Sequence, residues 1–265
     1  MAIKVLVCGA CGKMGKEVLK AVISCPDMEL AGAVDVTQTG RKVAELLGSG
    51  PDLRIEKDLP FVLKAVKPDV LIDFTNPLVG FNNVSTAMLH GANCVVGTTG
   101  FSSGQLEHLS SAALEKGLGV LVAPNFAVGA VLMMKFAAQA AKYFNQAEII
   151  ELHHDQKMDA PSGTAIKTAE MIIAERKELA PEKRDFIEKV KGVRGGDMQG
   201  IRMHSVRLPG LIAHQEVLFG DNGQTLTIRH DSLSRESFMP GVILAVKYVC
   251  ENKGFVYGLD KILAW

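Results

Sequence analysis

At 265 residues, with 48% apolar side chains and a mean hydropathy of +0.17, the chain can build a real core in one large domain or two modest ones. Its 29 basic and 29 acidic residues cancel, which argues against a nucleic-acid binder or a membrane-surface protein and leaves room only for a local basic pocket. No apolar run approaches the length of a membrane span, and residues 1–4 lead into a strand without a signal-peptide pattern, so the cytoplasm is the expected location.

The first β-branched run, residues 3–7, is followed by Cys8-Gly9-Ala10-Cys11-Gly12-Lys13-Met14-Gly15 and an amphipathic stretch over 16–23, which reads as strand, glycine loop and helix. A dinucleotide-binding turn needs glycines for its bend, for close approach of backbone to a pyrophosphate and for helix packing. Here they are Gly9, Gly12 and Gly15, with Ala10 where the usual pattern has its first glycine. A second strand, 29–34, ends at Asp35, 20 residues beyond Gly15, where a carboxylate can hold the ribose hydroxyls of an adenosine. Val36 follows with no immediate arginine for a 2′-phosphate, which leans toward NADH over NADPH, although Lys13, Arg41 and Lys42 are at hand to neutralise such a phosphate. Cys8 and Cys11 also spell a C-x-x-C at a strand-to-helix junction, so a redox dithiol is the competing reading of this loop. Five scattered cysteines argue against a disulfide framework, and a single C-x-x-C argues against structural zinc, so no metal site is expected.

Strand-like runs recur at 70–74, 93–96 and 119–122, separated by helical stretches at 78–89 and 103–114, giving the rhythm of a doubly wound parallel sheet. Ligands of such sheets sit at the carboxyl ends of strands. The segments leaving those ends are Thr75-Asn76-Pro77, Gly97-Thr98-Thr99-Gly100 and Ala123-Pro124-Asn125-Phe126, each of which ordinary turn chemistry would also accommodate.

From residue 127 the pattern changes. A long Ala- and Met-rich helix is expected over 128–144, with Met133 and Met134 as packing residues, then a strand over 147–152. His153, His154 and Lys157 should lie where that strand runs into a loop, which Pro161 ends before a helix over 165–179 with Ser162 or Thr164 near its N-cap. Imidazoles, an ammonium and the positive end of a helix dipole would then converge on one volume suited to a substrate with more than one carboxylate. An ordinary solvated loop is the competing reading of those three residues alone. Residues 181–191 read as an exposed excursion, and 201–208, 216–219 and 225–230 as strands, the last two joined by a hairpin at Asp221-Asn222-Gly223. His204, His214 and His230 have no partners at metal spacing and are expected to be structural. A last helix is expected over 240–250, preceded by Arg235 and Phe238, for which a loop salt bridge and a core position are the plain readings.

Read as one string, His153-His154-x-x-Lys157-x-Asp159-Ala160-Pro161-Ser162-Gly163-Thr164-Ala165 resembles the signature of the dihydrodipicolinate (4-hydroxy-tetrahydrodipicolinate) reductases of diaminopimelate and lysine biosynthesis. Gly-Thr-Thr-Gly and Pro-Asn-Phe match the same family, and the resemblance covers nearly the whole chain. It implies a Rossmann-like α/β domain over 1–126, completed by 236–265, and a second α+β domain over 127–235 with a mixed, mostly antiparallel sheet, used for substrate binding and oligomerisation. It further implies reduction of hydroxy-tetrahydrodipicolinate to tetrahydrodipicolinate by NADH or NADPH in a homotetramer. His153 and Lys157 would be catalytic, with His154, Gly163 and Thr164 on the substrate. Gly9, Ala10, Cys11, Gly12, Lys13, Met14, Asp35, Gly97, Thr98, Thr99, Ala123, Pro124, Asn125, Phe126, Arg235 and Phe238 would form the cofactor site. Another Rossmann oxidoreductase, such as an aspartate dehydrogenase, would share the first 125 residues without needing His-His-x-x-Lys beside Ser-Gly-Thr. A non-catalytic dinucleotide-binding regulator gives no reason for the titratable cluster.

Overall fold

The computed structural model describes residues 2–176 and 187–263. In chain order the elements are β1 (Ile3–Cys8), α1 (Lys13–Ser24), β2 (Met28–Val34), α2 (Val43–Leu47), β3 (Ile55–Glu56), α3 (Leu59–Val66), β4 (Val70–Asp73), α4 (Pro77–Leu89), β5 (Asn93–Val96), α5 (Ser103–Lys116) and β6 (Gly119–Val122). There follow α6 (Val128–Ala140), β7 (Gln146–His153), α7 (Gly163–Glu175), β8 (Gly196–Met198), β9 (Ile201–Arg207), β10 (Ala213–Asp221), β11 (Gln224–Ser232), α8 (Met239–Glu251) and β12 (Gly254–Tyr257). The chain divides into two compact units, Met1–Phe126 with Phe238–Trp265, and Ala127–Ser237.

The first unit is a seven-stranded sheet in the order β12-β6-β5-β4-β1-β2-β3, with every pairing parallel. The central strands β1, β4, β5 and β6 are apolar and buried, as strands covered on both faces must be. Because β1 has β2 on one side and β4 on the other, the order reverses there, and the strand ends open a crevice at the switch point. Helix starts fix the loops above that crevice. Asn76 caps α4 by accepting from the amides of Leu78 and Val79, with Pro77 preset for the first turn. Ser102 and Gln105 form a reciprocal capping box on α5, whose far end closes on Gly117 in the left-handed region.

The second unit is a five-stranded mixed sheet in the order β11-β10-β7-β9-β8, antiparallel except for β7 with β9. Ala147, Ile149, Val217, Phe219, Ile201 and Met203 point to one face, where they pack with small residues of α6 and α7. The opposite face carries ion pairs, Glu148 with Arg194 and His204, and Arg229 with Glu216 and Asp231. His214 bonds Asp231, and His230 lies half-buried beside Gly129, where a Cβ would sit 2.5 Å from its ring.

Several boundaries differ from the sequence expectation. The helix expected to reach residue 144 ends at Ala140, where Lys142 and Tyr143 tighten into bonds to the third preceding carbonyl. His153 is the last residue of β7 rather than part of the loop, since it continues the ladder opposite Ala213 and Arg207. Helix α7 starts at Gly163 with Ser162 as its cap, and ends at Glu175 because Arg176 turns extended. The expected end of that helix at 179 and most of the excursion over 181–191 lie outside the described residues. Four elements had no counterpart in the reading of the first unit, namely α2, β3, α3 and the edge strand β12, and β8 had none in the second.

Candidate active site

In the first unit the crevice is built from glycine outward. Gly9 has φ +79°, and a Cβ there would lie 2.4 Å from the carbonyl oxygen of Phe74. A Cβ on Gly15 would lie 1.9 Å from the carbonyl oxygen of Gly9, so helix and loop can close this tightly only without side chains at either position. Ala10 is fully buried and donates its amide to Val34. Gly12 is the N-cap of α1, and neither a capping side chain nor an acidic residue in the first turn, Lys13-Met14-Gly15, offsets the positive end of the dipole. An anion is the fitting partner for that helix start.

Asp35, just past β2, accepts at one carboxylate oxygen from the Cys11 amide at 2.8 Å and at the other from the amide and hydroxyl of Thr37, both at 2.8 Å. The carboxylate is thereby fixed against the glycine loop. Arg41 is engaged with Gln38 and the carbonyl of Glu45, and Lys42 pairs with Asp52 at 2.8 Å. Cys8 and Cys11 are free thiols, both pushed up, first of all by burial, which is the opposite of what a redox dithiol needs.

Asp73, fully buried at the end of β4, has no role in the sequence reading. It accepts from the hydroxyls of Thr75 at 2.7 Å and Thr98 at 2.6 Å, from the Thr75 amide at 3.1 Å and from Asn83 at 2.8 Å. Two loops of the crevice are tied together through it. Gly97 packs under the ring of Phe74, and Phe74 stands 5.7 Å from the ring of Phe126. Thr99 follows Thr98 in the same loop. The run Ala123-Pro124-Asn125-Phe126 leaves β6 at the same edge, with the Ala123 amide bonded to Val96. A Cβ on Gly241 would lie 2.0 Å from the Phe126 carbonyl oxygen, which sets how closely α8 approaches that segment. Arg235 is exposed on a short 3₁₀ turn, Arg235–Phe238, and Phe238 is half-buried where that turn runs into α8.

In the second unit the cations are not bare. Glu151, on the apolar face of β7 with a side chain 1% exposed, bonds the Nδ1 of His153 and takes both terminal nitrogens of Arg207, at 2.9 and 2.7 Å. Burial alone would push the Glu151 carboxyl up, but the hydrogen bonds from His153, Arg207 and Ser205 outweigh it and hold it down to about 2. Arg207 also donates to the Asp159 carbonyl at 2.7 Å, and the Asp159 carboxylate holds the Lys157 ammonium at 2.7 and 2.8 Å. That contact with Lys157 holds the Asp159 carboxyl below its ordinary value. His154 opens the loop, its carbonyl accepting from the Lys157 amide. Gly163 and Thr164 are the first two residues of α7, whose cap Ser162 takes the Ala165 amide and whose first turn carries no acid. Gln215 on β10 braces this helix by donating its side-chain amide to the Thr168 hydroxyl at 2.7 Å, which in turn donates to the Thr164 carbonyl.

His153 and Lys157 are therefore joined through Glu151, Arg207 and Asp159, and the loop that carries Lys157 runs on into the N-terminus of α7, whose dipole favours anions. Among the described residues no group of three or more His, Cys, Asp or Glu is placed to hold a metal, and no helix is long and apolar enough to cross a membrane.

Two family models match the chain. The one described as dihydrodipicolinate reductase, N-terminus, covers residues 3–126, and its C-terminus counterpart covers residues 129–263. A curated 4-hydroxy-tetrahydrodipicolinate reductase of Syntrophomonas wolfei is 56% identical over 261 residues, 98% of each chain. That of Bacillus subtilis is 51% identical, again over 98% of both. Among solved structures, a dipicolinate-bound dihydrodipicolinate reductase from Paenisporosarcina sp. TG-14 superposes with a TM-score of 0.89 at 45% identity, over 99% of this chain and 100% of that one. An amine dehydrogenase from Mycobacterium smegmatis, at TM-score 0.68 and 14% identity over 98% of this chain and 96% of its own, shares the fold alone.

Proposed function

The chain belongs to the dihydrodipicolinate reductase family, and its reaction is the pyridine-nucleotide-dependent reduction of 4-hydroxy-tetrahydrodipicolinate; from that premise we propose which residues carry each part. The glycine loop Gly9–Met14 and the start of α1 hold the pyrophosphate, Asp35 the adenosine ribose, and the loops 97–99 and 123–126 the nicotinamide end, with Arg235 and Phe238 completing the cofactor site. The cofactor supplies a hydride when bound. Hydride arriving on a carbon conjugated to the ring imine builds charge at the far end, where an acid must deliver a proton. His153 is that acid, and Lys157 meets the negative charge. His154 and the backbone at Gly163 and Thr164 hold a carboxylate. The observation that carries this reading is the single hydrogen-bonded chain from His153 through Glu151 and Arg207 to the Lys157–Asp159 loop, directly before the α7 N-terminus.

The pocket is tested by two aromatic inhibitors. Pyridine-2,6-dicarboxylate offers both anions at fixed geometry and cannot accept hydride, and each carboxylate met by charge-assisted bonds contributes about 1.5–3 kcal/mol. It competes with substrate, and pyridine-2-carboxylate inhibits about tenfold or more weakly, one factor of ten for each roughly 1.4 kcal/mol. His154→Ala narrows that gap. Equal inhibition constants for the two compounds would rule out a second anion site.

NADH is the better cofactor in this proposal, because Asp35 presents a carboxylate to the ribose while Arg41 and Lys42 are engaged within their own segment. Asp35→Ala weakens NADH more than NADPH, since it removes ribose hydrogen bonds together with a charge that repels a 2′-phosphate. Titration of both cofactors by fluorescence checks this, and equal weakening would place Asp35 away from the ribose. The five-stranded sheet is the contact of a homotetramer, and free cysteines throughout suit the cytoplasm.

A further inference from the structure

We propose that Glu151 and Arg207 are the positioning pair of this site: the carboxylate fixes which nitrogen of His153 exchanges protons with substrate, and the guanidinium fastens the loop that carries Lys157. The inference rests on the assignment of His153 and Lys157 above. Strand alternation places Ile149, Glu151 and His153 on one face of β7, and parallel pairing with β9 sets Glu151 opposite Ser205 and His153 opposite Arg207. A carboxylate and a guanidinium thus stand at the end of an apolar layer. Uncharged side chains of like volume often serve stability as well as an ion pair in such a place, so stability alone does not explain these two charges. A positional task accounts for them better.

That task follows from donor and acceptor arithmetic. An ionised carboxylate only accepts, so the nitrogen facing Glu151 must carry a hydrogen, and in neutral imidazole the other nitrogen then carries none. Nδ1 is held as the permanent donor. The proton that comes and goes is therefore on Nε2: its N–H bond breaks as a C–H bond forms at the substrate carbon, His153 is left neutral with Nδ1–H intact, and solvent restores the proton. Arg207 keeps the carboxylate from turning, since its two terminal nitrogens grip both oxygens. The same guanidinium reaches the carbonyl of Asp159, two residues from Lys157, so one residue sets the positions of both cations.

The test is a double-mutant cycle in the full-length enzyme. Glu151→Gln lowers kcat by about 10–100-fold, part of the effect of a positioned acid, with the NADH dissociation constant unchanged within about twofold. His153→Ala/Glu151→Gln is no slower than His153→Ala, because Glu151 acts through an imidazole already gone. Losses that multiply, or Glu151→Gln at full turnover, would overturn the proposal. A fully active His153→Ala would instead sink the catalytic assignment of His153, and the role of the pair with it. Should Glu151→Gln not fold, imidazole nitrogen NMR of the intact enzyme decides. The signals lost in His153→Ala belong to an Nδ1–H tautomer if the proposal holds, and an Nε2–H tautomer would refute it.

Discussion

Lys157→Ala lowers turnover by about 10²–10³, the scale of one electrostatic group aimed at a transition state, and leaves NADH affinity within a factor of about two. The small effect on the fold follows from the pair Lys157 makes. Its partner Asp159 has a side chain 63% exposed, and an ion pair that open to water contributes only about 0–1 kcal/mol. Lost activity therefore reports chemistry. The ammonium is held by Asp159, so a substrate carboxylate must share or displace that contact. Stopped-flow turnover and cofactor titration on one preparation make the comparison, and a matching loss of NADH affinity would move Lys157 into the cofactor site.

The second large effect is an acid lability centred on Glu151. Held at about 2 in the folded chain against an ordinary value near 4.5, this carboxyl stays charged where the unfolded chain has already taken up a proton. A depressed carboxyl of this kind contributes stability that is full above the unfolded value and is lost as pH falls from there through about 2. The amount is about 3 kcal/mol for a shift of this size at a buried site. Glu148, Asp159 and Asp231 are also held low, so the whole chain softens in acid, and the contrast with Glu151→Gln isolates the one group. The variant is less stable at neutral pH, where Arg207 has lost its carboxylate partner, by about 3 kcal/mol. Its stability then falls less steeply below pH 4.5 than that of the parent. Urea unfolding across that range measures both slopes, and parallel slopes would contradict the assignment.

The chain disclosed much of this in advance, and the parts it withheld share a cause. Repeated apolar runs with loops between them announce a parallel sheet because buried strands have no polar face. Gly9, Gly12 and Gly15 are legible because a tight backbone approach admits no other residue. Short elements such as β3, two residues long, and β12, four residues at the sheet edge, form through pairing with distant strands and leave little local pattern. Asp73 and Glu151 were hidden for a different reason. A carboxylate in an apolar run has no meaning until its partners are known, and those partners are brought by strand register: Thr98 from β5's exit, and Arg207 and Ser205 from β9. Alternation alone could have flagged Glu151, two residues from His153 on the inward face of β7, as the acid oriented toward that ring. Two of the three basic side chains at this strand end and loop are paired, so less charge is offered to a substrate and the α7 dipole matters more.

The central claim is tested most directly by following NADH oxidation when the purified protein is given freshly made product of dihydrodipicolinate synthase. Rapid, enzyme-dependent loss of NADH absorbance that stops on adding pyridine-2,6-dicarboxylate is the result expected here. NADH that binds but is not consumed with this substrate would contradict the account.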